Sequence, residues 1–332
     1  MTEMAYDGKI MRRALRRFEE DKKRREETAH KRAEAIYARE PRLREIDREL
    51  RATVGRIVTS ALHRGTDPRP ALKALTERNL ALQKERAEIL GRMGLSGDCL
   101  SEKPNCPLCG DTGYRNGEVC RCLREYYARE QKKELSQMLD LGSQSFETFS
   151  LDWYSDEYRP DLGFSPRENM EWIKKTCGRF AEEFNPGSGG NLLLSGAPGL
   201  GKTFLSACIA REVSDAGFSV VYDTAVHVFE RFEVQKFGRD DAAEDVNRIL
   251  TCDLLILDDL GTEMLTAFVQ SALYQIINTR LVEKRSVILN TNLSVEEIEK
   301  RYTAQIASRI EGEYRALLFF GEDIRKLKNK TS

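Results

Sequence analysis

The sequence lacks several features that would indicate a membrane or secreted protein. None of its 332 residues belongs to a run of about 18 consecutive apolar residues, which excludes an ordinary transmembrane helix. Residues 1–20 are rich in arginine and glutamate and do not contain the apolar core of a secretory signal. We therefore expect a cytoplasmic protein without membrane association.

Net charge is also nearly absent, because 53 Lys and Arg residues are balanced by 54 Asp and Glu residues. This balance excludes a polycation that coats nucleic acid through bulk charge alone. The charges are nevertheless unevenly distributed. Residues 1–95 hold 24 of the cations, 16 of the anions and none of the eight cysteines. Such asymmetry predicts a boundary near residue 95 between parts with different partners.

Apolar side chains in the first 95 residues recur at helical spacing. One set shares a helix face, because three or four residues separate each member from the next. Its members are Leu43, Ile46, Leu50, Val54 and Ile57. A second set repeats every seven residues beyond the turn-forming stretch 65–70. Its members are Leu75, Leu82 and Ile89. We predict an antiparallel helical hairpin, preceded by a helix over about 9–39.

Four of the eight cysteines form a C-x2-C pair and a C-x-C pair. They are Cys106, Cys109, Cys120 and Cys122. Two such pairs complete the tetrahedral shell of four sulfurs that Zn²⁺ favours, and a reducing cytosol disfavours disulfides. We interpret the cluster as a structural zinc site, with an iron–sulfur cluster and metal-free thiols as alternatives. The remaining cysteines are predicted to be small buried residues. They are Cys99, Cys177, Cys208 and Cys252.

A phosphate-binding loop is indicated by GAPGLGKT at 196–203, which fits the pattern G-x4-G-K-T. The apolar run 191–195, which has the length of a strand, precedes it, and a helix over about 202–216 is predicted to follow. Lys202 supplies positive charge for β- and γ-phosphate oxygens, and Thr203 offers a hydroxyl to Mg²⁺. We expect ATP and Mg²⁺ as ligands. The predicted nucleotide-binding residues are Gly196, Ala197, Pro198, Gly199, Leu200, Gly201, Lys202, Thr203 and Phe204.

Two carboxylates follow a second apolar strand. The run 254–257 leads into Asp258 and Asp259, at the carboxyl end where α/β sheets bind ligands. We expect Asp258 to hold Mg²⁺ together with Thr203, and Asp259 to orient or activate the attacking water. A third strand over 286–290 leads to Asn292, whose amide would lie between the γ-phosphate and this water.

Residues 191–325 resemble AAA+ ATPases of the bacterial helicase-loader group, the DnaC/DnaI family, to which the transposition helper IstB is also similar. The motifs that carry the resemblance are GAPGLGKT at 196–203, LLILDDLG at 254–261, ILNTNLS at 288–294, ASRI at 307–310 and FFGEDIR at 319–325. The basic helical N-terminus and the cysteine segment are similar to the zinc-bearing members. The resemblance implies an α/β fold with a parallel AAA+ sheet and a reduced C-terminal lid.

The resemblance also implies roles for single residues. Lys202 corresponds to Walker A, Asp258 and Asp259 to Walker B, where many AAA+ proteins have Glu at the second position. Asn292 corresponds to sensor 1. Arg309 corresponds to an arginine finger that completes a neighbouring subunit's site, and Arg325 to a sensor-2 arginine. From the residues alone, a surface ion pair is the alternative role for each of these two arginines.

Residues 228–239 interleave aromatic and basic side chains, a composition that suits single-stranded DNA. The residues concerned are Phe229, Arg231, Phe232, Lys236, Phe237 and Arg239. In the family that it resembles, this region touches single-stranded DNA. The alternative is an amphipathic helix with Val228, Phe229 and Phe232 in the core.

The sequence therefore predicts a four-part chain. A coiled-coil partner-binding region covers 1–95, a zinc knuckle 96–125, a linker 126–165 and an AAA+ ATPase domain 166–332. The implied function is ATP-dependent loading of a replicative DnaB-type helicase hexamer, with self-association through the ATP sites. Two alternatives stay open: an IstB-like transposition helper ATPase, and a zinc adaptor whose nucleotide site binds without hydrolysis.

Overall fold

The chain forms two compact units in the computed structural model. The structure describes residues 6–62, 69–101, 103–141, 143–188, 190–236 and 240–331. One unit is Arg17–Glu118, and the other is Val119–Ser332 together with the N-terminal residues as far as Arg16. Among the described residues, no helix combines the length and apolarity needed to cross a bilayer. The four-part division stays a prediction.

Three long helices occupy the first 92 residues. They are α1 (Gly8–Arg39), α2 (Pro41–Leu62) and α3 (Arg69–Arg92). Leu43 and Ile46 of α2 are fully buried and share a core with Leu82 and Ile89 of α3. The breaker at 65–68 and the side chains of Val54 and Ile57 lie outside the described residues.

Ion pairs show the direction of α2 relative to α3. Arg42 pairs with Glu85 at 2.8 Å, and Glu49 pairs with Arg78 at 2.7 Å. Residues further along α2 therefore pair with residues closer to the start of α3, so the two helices are antiparallel. The predicted helical hairpin is confirmed.

A tight hairpin lies inside the cysteine segment. It joins strands β1 (Tyr114–Arg115) and β2 (Glu118–Val119) through Asn116 and Gly117, whose φ angles are 51° and 83°. Asn-Gly is the pair best suited to a two-residue hairpin turn with two positive φ angles. Helix α4 (Arg121–Leu135) begins directly after Cys120.

A five-stranded parallel sheet organises the larger unit. Its strands are β3 (Leu192–Gly196), β4 (Val220–Thr224), β5 (Leu254–Leu260), β6 (Ser286–Thr291) and β7 (Arg315–Phe319). Their order is β4-β5-β6-β3-β7, with all pairs parallel. The helices around them are α5 (Pro166–Glu182), α6 (Lys202–Asp215), α7 (Ala225–Lys236), α8 (Asp240–Thr251), α9 (Ala267–Val282), α10 (Val295–Arg301), α11 (Ala304–Glu313) and α12 (Ile324–Thr331). The predicted α/β fold with a parallel sheet is confirmed.

The sheet is buried on both faces, as near-continuous apolar strands require. Leu192 and Leu194 of β3 point into one apolar core, and Leu193 points into the other. Phe149 and Tyr154, from the segment predicted as a linker, belong to the first of these cores.

The strand order positions the functional residues. Strand β6 lies between β3 and β5, so the carboxyl ends of these three strands are adjacent. The phosphate-binding loop, the aspartate pair and Asn292 follow those ends. Parallel α/β sheets bind ligands at this edge.

Candidate nucleotide-binding site

The predicted phosphate-binding loop connects β3 to α6. Gly196, Gly199 and Gly201 have φ angles of 147°, 78° and 91°, which favour glycine. A Cβ atom on Gly196 would lie 2.4 Å from the Phe319 carbonyl oxygen, and one on Gly199 would lie 1.9 Å from Asp323 Oδ1. The glycines therefore serve both the turn and the close approach of the β7–α12 connection.

Lys202 begins helix α6 and points back into the loop. Its Nζ donates to the carbonyl oxygens of Gly196 and Ala197 and to Asn292 Oδ1, the last at 2.8 Å. Burial lowers the pKa of Lys202, and the Asp259 and Asp258 carboxylates partly oppose this shift. The structure thus joins the predicted Walker A lysine directly to the predicted sensor asparagine.

Asp258 is buried and held by side chains from several elements. Tyr222 on β4 donates to Oδ2, and Asn290 on β6 donates to Oδ1 at 2.9 Å. Thr203 Oγ1 donates to Oδ2 at 3.2 Å. Hydroxyl and carboxylate oxygens are ligands that Mg²⁺ accepts, so this pair fits the predicted magnesium site.

Asp259 lies at an irregularity in the ladder. The pairing of β5 with β6 shifts register between Leu257 and Leu260, and Asp259 has a φ of 52°. A bulge of this kind redirects a side chain. Burial raises the pKa of Asp259, and the neighbouring Asp258 carboxylate raises it further. The carboxyl group therefore binds a proton more readily than an exposed aspartate does.

Most residues of the predicted site line one cavity of about 530 Å³. Lys202, Asp259, Asn292 and Arg325 line it, together with the loop residues 198–204. Its other walls carry aromatic and aliphatic side chains that could contact a nucleotide base. These are Phe149, Trp153, Tyr154 and Ile324, with Lys328 over the Trp153 ring.

Four residues of the site were not predicted from the sequence. Tyr222 and Asn290 orient Asp258, and their roles depend on strand order. Asp323 packs over Gly199, and the amide of Ile324 donates to the Gly199 carbonyl at 3.0 Å. The GEDI sequence of the closing motif was the only signal for the last two.

Arg309 lies outside this cavity. Its guanidinium donates to Asn278 Oδ1 at 3.0 Å and to the Tyr274 hydroxyl at 3.1 Å, both on α9. It also lies 4.8 Å from the centre of the Tyr274 ring. The structure therefore brings Arg325, but not Arg309, into the chain's own predicted ATP site.

The predicted DNA-contacting stretch is mainly helix α7. Val228, Phe229 and Phe232 are at most 5% exposed and pack in the core, so the amphipathic interpretation is confirmed for them. Arg231 pairs with the buried Asp223 at 2.6 Å, and Lys236 Nζ lies 5.0 Å from the Phe268 ring centre. Phe237 and Arg239 lie outside the described residues. Phe229 and Phe232 are not available for base stacking.

The four clustered cysteines are brought together as predicted. The sulfur atoms of Cys106, Cys109, Cys120 and Cys122 all lie within 4.8 Å of one another. Zn–S bonds of about 2.3 Å in a tetrahedron require sulfurs about 3.8 Å apart, so the set fits Zn²⁺. Asp111 supports this segment by accepting from the backbone amides of Asn105 and Cys106.

The scattered cysteines behave differently from one another. Cys177, Cys208 and Cys252 are buried, as predicted. The prediction is wrong for Cys99, which is half-buried because it lies in the loop after α3.

Comparison with known proteins defines the larger unit further. Residues 187–310 match the family described as IstB-like ATP binding protein. The resemblance predicted from the motifs is thereby confirmed for the IstB-like domain.

Curated relatives of the IstB-like domain include two helicase loaders. Replicative helicase loader DnaC of Escherichia coli (strain K12) is 28% identical over 134 residues, which are 40% of this chain and 54% of that protein. Replicative helicase loader DnaI of Bacillus subtilis (strain 168) is 31% identical over 129 residues, 37% of this chain and 40% of that protein. The chain thus spans about half the length of these relatives or less.

Solved structures that are similar to this chain include those of the DnaC helicase loader and of DnaI. The DnaC structure aligns with a TM-score of 0.43 and 22% identity, covering 53% of this chain and 98% of that one. The DnaI structure aligns with a TM-score of 0.45 and 22% identity, covering 56% and 93%.

Proposed function

We propose that this protein is an ATP-dependent loader of a replicative DNA helicase. The observation that carries the proposal is the convergence of Lys202, Asp259, Asn292 and Arg325 on one cavity of an IstB-like domain. The two curated relatives reported above are named replicative helicase loaders, which supports a replicative helicase as the partner. The cytoplasm is the location that this function requires.

ATP hydrolysis is the chemistry proposed for the cavity. Lys202 neutralises charge on the β- and γ-phosphate oxygens, and the loop amides face the same oxygens. Asp258 and Thr203 are the residues that would hold Mg²⁺, which supplies further positive charge when bound. Asp259 orients the attacking water and accepts its proton, and Asn292 holds that water beside the γ-phosphate. Arg325 contacts the phosphates from within the same chain.

Self-association completes the proposed site. Arg309 is held by α9, away from its own cavity, which supports a role at the site of a neighbouring copy. An arginine finger is worth about 10³–10⁵ in rate. ATP then links one copy to the next, and hydrolysis removes contacts that distinguish the bound from the released state.

The remaining parts are assigned to partners. The helical region 1–95 binds a DnaB-type helicase hexamer, and the cysteine segment holds Zn²⁺ as a structural ion. Single-stranded DNA contacts the α7 region through its exposed cation Lys236, since Phe229 and Phe232 are in the core.

Two other functions compete with this one. One is an IstB-like transposition helper that acts with a transposase on duplex DNA, and the match to an IstB-like ATP binding protein family supports it. The four-cysteine cluster argues against it, because the IstB-like pattern generally lacks one. A zinc adaptor with a non-hydrolysing site is opposed by the presence of Asp258, Asp259, Asn292 and Arg309 together.

Size-exclusion chromatography with a purified replicative helicase, with and without ATP, tests the proposal. We expect a complex that ATP stabilises, and phosphate release that single-stranded DNA modulates. Lys202→Ala should abolish phosphate release and the ATP effect, whereas Lys175→Ala, on the exposed face of α5, should change neither. Normal loading and hydrolysis by Lys202→Ala would overturn the proposal, and capture of a transposase instead of helicase would favour the alternative.

A further inference from the structure

A groove lined by basic side chains runs along α1 in the unit Arg17–Glu118. Its first section has a volume of about 360 Å³ and lies among α1, α2 and the loop after α3. Its second section, of about 870 Å³, continues toward the start of α1. The two sections share Ala29, Arg32, Cys99 and Ser101, so they form one continuous surface.

The guanidinium groups of three arginines in the first section have no hydrogen-bond or ion-pair partner among the described residues. Arg32, Arg48 and Arg51 are exposed, and none makes a hydrogen bond or ion pair with another described residue. The carboxylates of this section, in contrast, are engaged. Glu34 pairs with Arg44, while Asp47 pairs with Arg86 and accepts from the Tyr37 hydroxyl. The section therefore presents unneutralised positive charge over a partly apolar floor.

The length of the groove favours an extended ligand. Its lining on α1 runs from Lys22 to Tyr37. At 1.5 Å per residue this is about 22 Å, which an extended peptide covers with about seven residues. A single bound anion would need only a small part of this surface.

The distribution of charge favours a peptide over a nucleic acid. Glu34 and Asp47 lie among the arginines of the first section, and Glu26, Asp98 and Asp111 lie in the second. A nucleic acid strand carries a charge about every 3.4 Å and would meet these carboxylates repeatedly. In an extended acidic peptide successive side chains point to opposite faces, so the carboxylates that face the groove are about 7 Å apart and can pair with the three arginines between the acidic positions.

We infer that this groove binds an extended acidic segment of a partner protein. Arg32, Arg48 and Arg51 pair with its carboxylates, and the Tyr37 ring and Leu100 contact its aliphatic parts. The inference deepens the proposed function, since it gives the helical region a specific binding surface. It does not depend on the identity of that partner.

Fluorescence anisotropy with dye-labelled octaglutamate tests this inference on the full chain. We expect salt-sensitive binding, no binding of octalysine, and about tenfold weaker binding by the triple variant Arg32→Glu, Arg48→Glu, Arg51→Glu. The control variant Arg39→Glu, Arg92→Glu, Arg115→Glu makes the same charge change at exposed positions outside the groove. It should bind octaglutamate within about twofold of the unaltered protein.

Several results would overturn the inference. They are absence of octaglutamate binding at low salt, equal loss of binding in both triple variants, and tighter binding of oligothymidylate through the same arginines. Phosphate release and helicase complex formation are measured on the same samples. Octaglutamate binding without a helicase complex would overturn the proposed function and leave the groove assignment standing. A helicase complex without octaglutamate binding would overturn the groove assignment and leave the proposed function standing.

Discussion

Asp258 accepts hydrogen bonds from three different elements. Tyr222 comes from β4, Thr203 from α6 and Asn290 from β6, and the carboxylate is only 4% exposed. A carboxylate held in this way has little freedom to rotate. Partners beyond the metal ligands themselves commonly fix ligand orientation. Tyr222 is therefore the residue through which β4 acts on the proposed magnesium site.

Replacing Tyr222 by Phe should weaken the response to Mg²⁺. We expect the Mg²⁺ concentration for half-maximal phosphate release to rise about tenfold, because Asp258 loses a donor that orients it. Tyr302→Phe is the matched control, since the Tyr302 hydroxyl also bonds a buried carboxylate, that of Glu263, outside the cavity. Equal Mg²⁺ dependence in both variants would show that Tyr222 has no orienting role.

Thiol reactivity should separate Cys99 from three buried cysteines. Burial raises the pKa of Cys177 and of Cys208 to about 12, and it also raises the pKa of Cys252. Alkylation requires the thiolate. Iodoacetamide at about pH 8 should modify Cys99 in the native zinc-loaded protein and leave the other three unmodified until guanidinium unfolds it.

The pH dependence of this labelling has a definite sign. Because their pKa values are raised to about 12, Cys177 and Cys208 stay almost entirely neutral between about pH 7 and 9, so their modification should remain negligible beside that of Cys99 over this range. Mass spectrometry of peptides measures each site separately. Labelling of Cys177 at the rate of Cys99 would contradict the burial seen in the structure.

Site residues within one local motif could be predicted from the sequence. Gly196, Lys202 and Thr203 follow one another along the chain, so their spacing alone indicates phosphate binding. Tyr222 and Asp323 were missed because their roles depend on which strands are neighbours. No local pattern in the sequence states that β4 lies beside β5, or that the β7–α12 connection closes over Gly199.

Helix α8 is attached to the sheet through one buried arginine of α9. Arg280 is fully buried and donates to the carbonyl oxygens of Ile249, Leu250 and Ser286 at 2.9, 3.2 and 2.7 Å. The first two carbonyls belong to the last turn of α8, where helix carbonyls lack intrahelical partners. Arg280 therefore links the end of α8 to β6.

Arg280→Met should destabilise the larger unit by about 3 kcal/mol, because several buried carbonyl groups lose their donor. Arg285→Met is the control, since Arg285 is partly exposed and bonds Glu283 and the Thr251 carbonyl. We expect a loss of about 1 kcal/mol or less for the control. Urea unfolding followed by circular dichroism compares them, and equal losses would contradict the attachment role of Arg280.

The cysteine segment should depend on its metal for order. It has little apolar core of its own, and metal binding contributes about 10–16 kcal/mol in isolated zinc fingers. Removal of Zn²⁺ by a chelator should increase amide hydrogen exchange over residues 106–122 and leave β3–β6 protected. Native mass spectrometry should find one Zn²⁺ per chain. Iron with acid-labile sulfide in its place would support the alternative cluster.

The bounds of an element were predicted well where its sequence pattern had one interpretation. The role of an element was not predicted where its pattern was compatible with two. The P-loop strand and α6 agree with their predicted bounds to within a residue or two. The α7 sequence was compatible with both a DNA-stacking surface and a core helix, because Phe229 and Phe232 serve either. Burial by α8 and α9 decides between these, and that packing is a tertiary property.

The proposed role of Arg309 determines whether the ATP site would belong to one molecule or to an assembly. Asn278 and the Tyr274 ring hold its guanidinium on the α9 side of the domain. This arrangement presets the direction of a long side chain, which reduces the entropy lost when it binds a phosphate. We expect Arg309→Ala to lower the rate of ATP hydrolysis by about 10³, with ATP affinity largely retained.

Mixing inactive variants tests whether Arg309 acts on a neighbour. Lys202→Ala removes the phosphate-binding lysine, and Arg309→Ala removes the finger, so neither variant should hydrolyse ATP alone. In an equal mixture, about one quarter of the interfaces combine an intact loop from one copy with an intact Arg309 from the next. Phosphate release should therefore recover to about one quarter of the unaltered rate. Absence of recovery at every mixing ratio, with both variants still assembling, would mean that each chain hydrolyses ATP with its own residues.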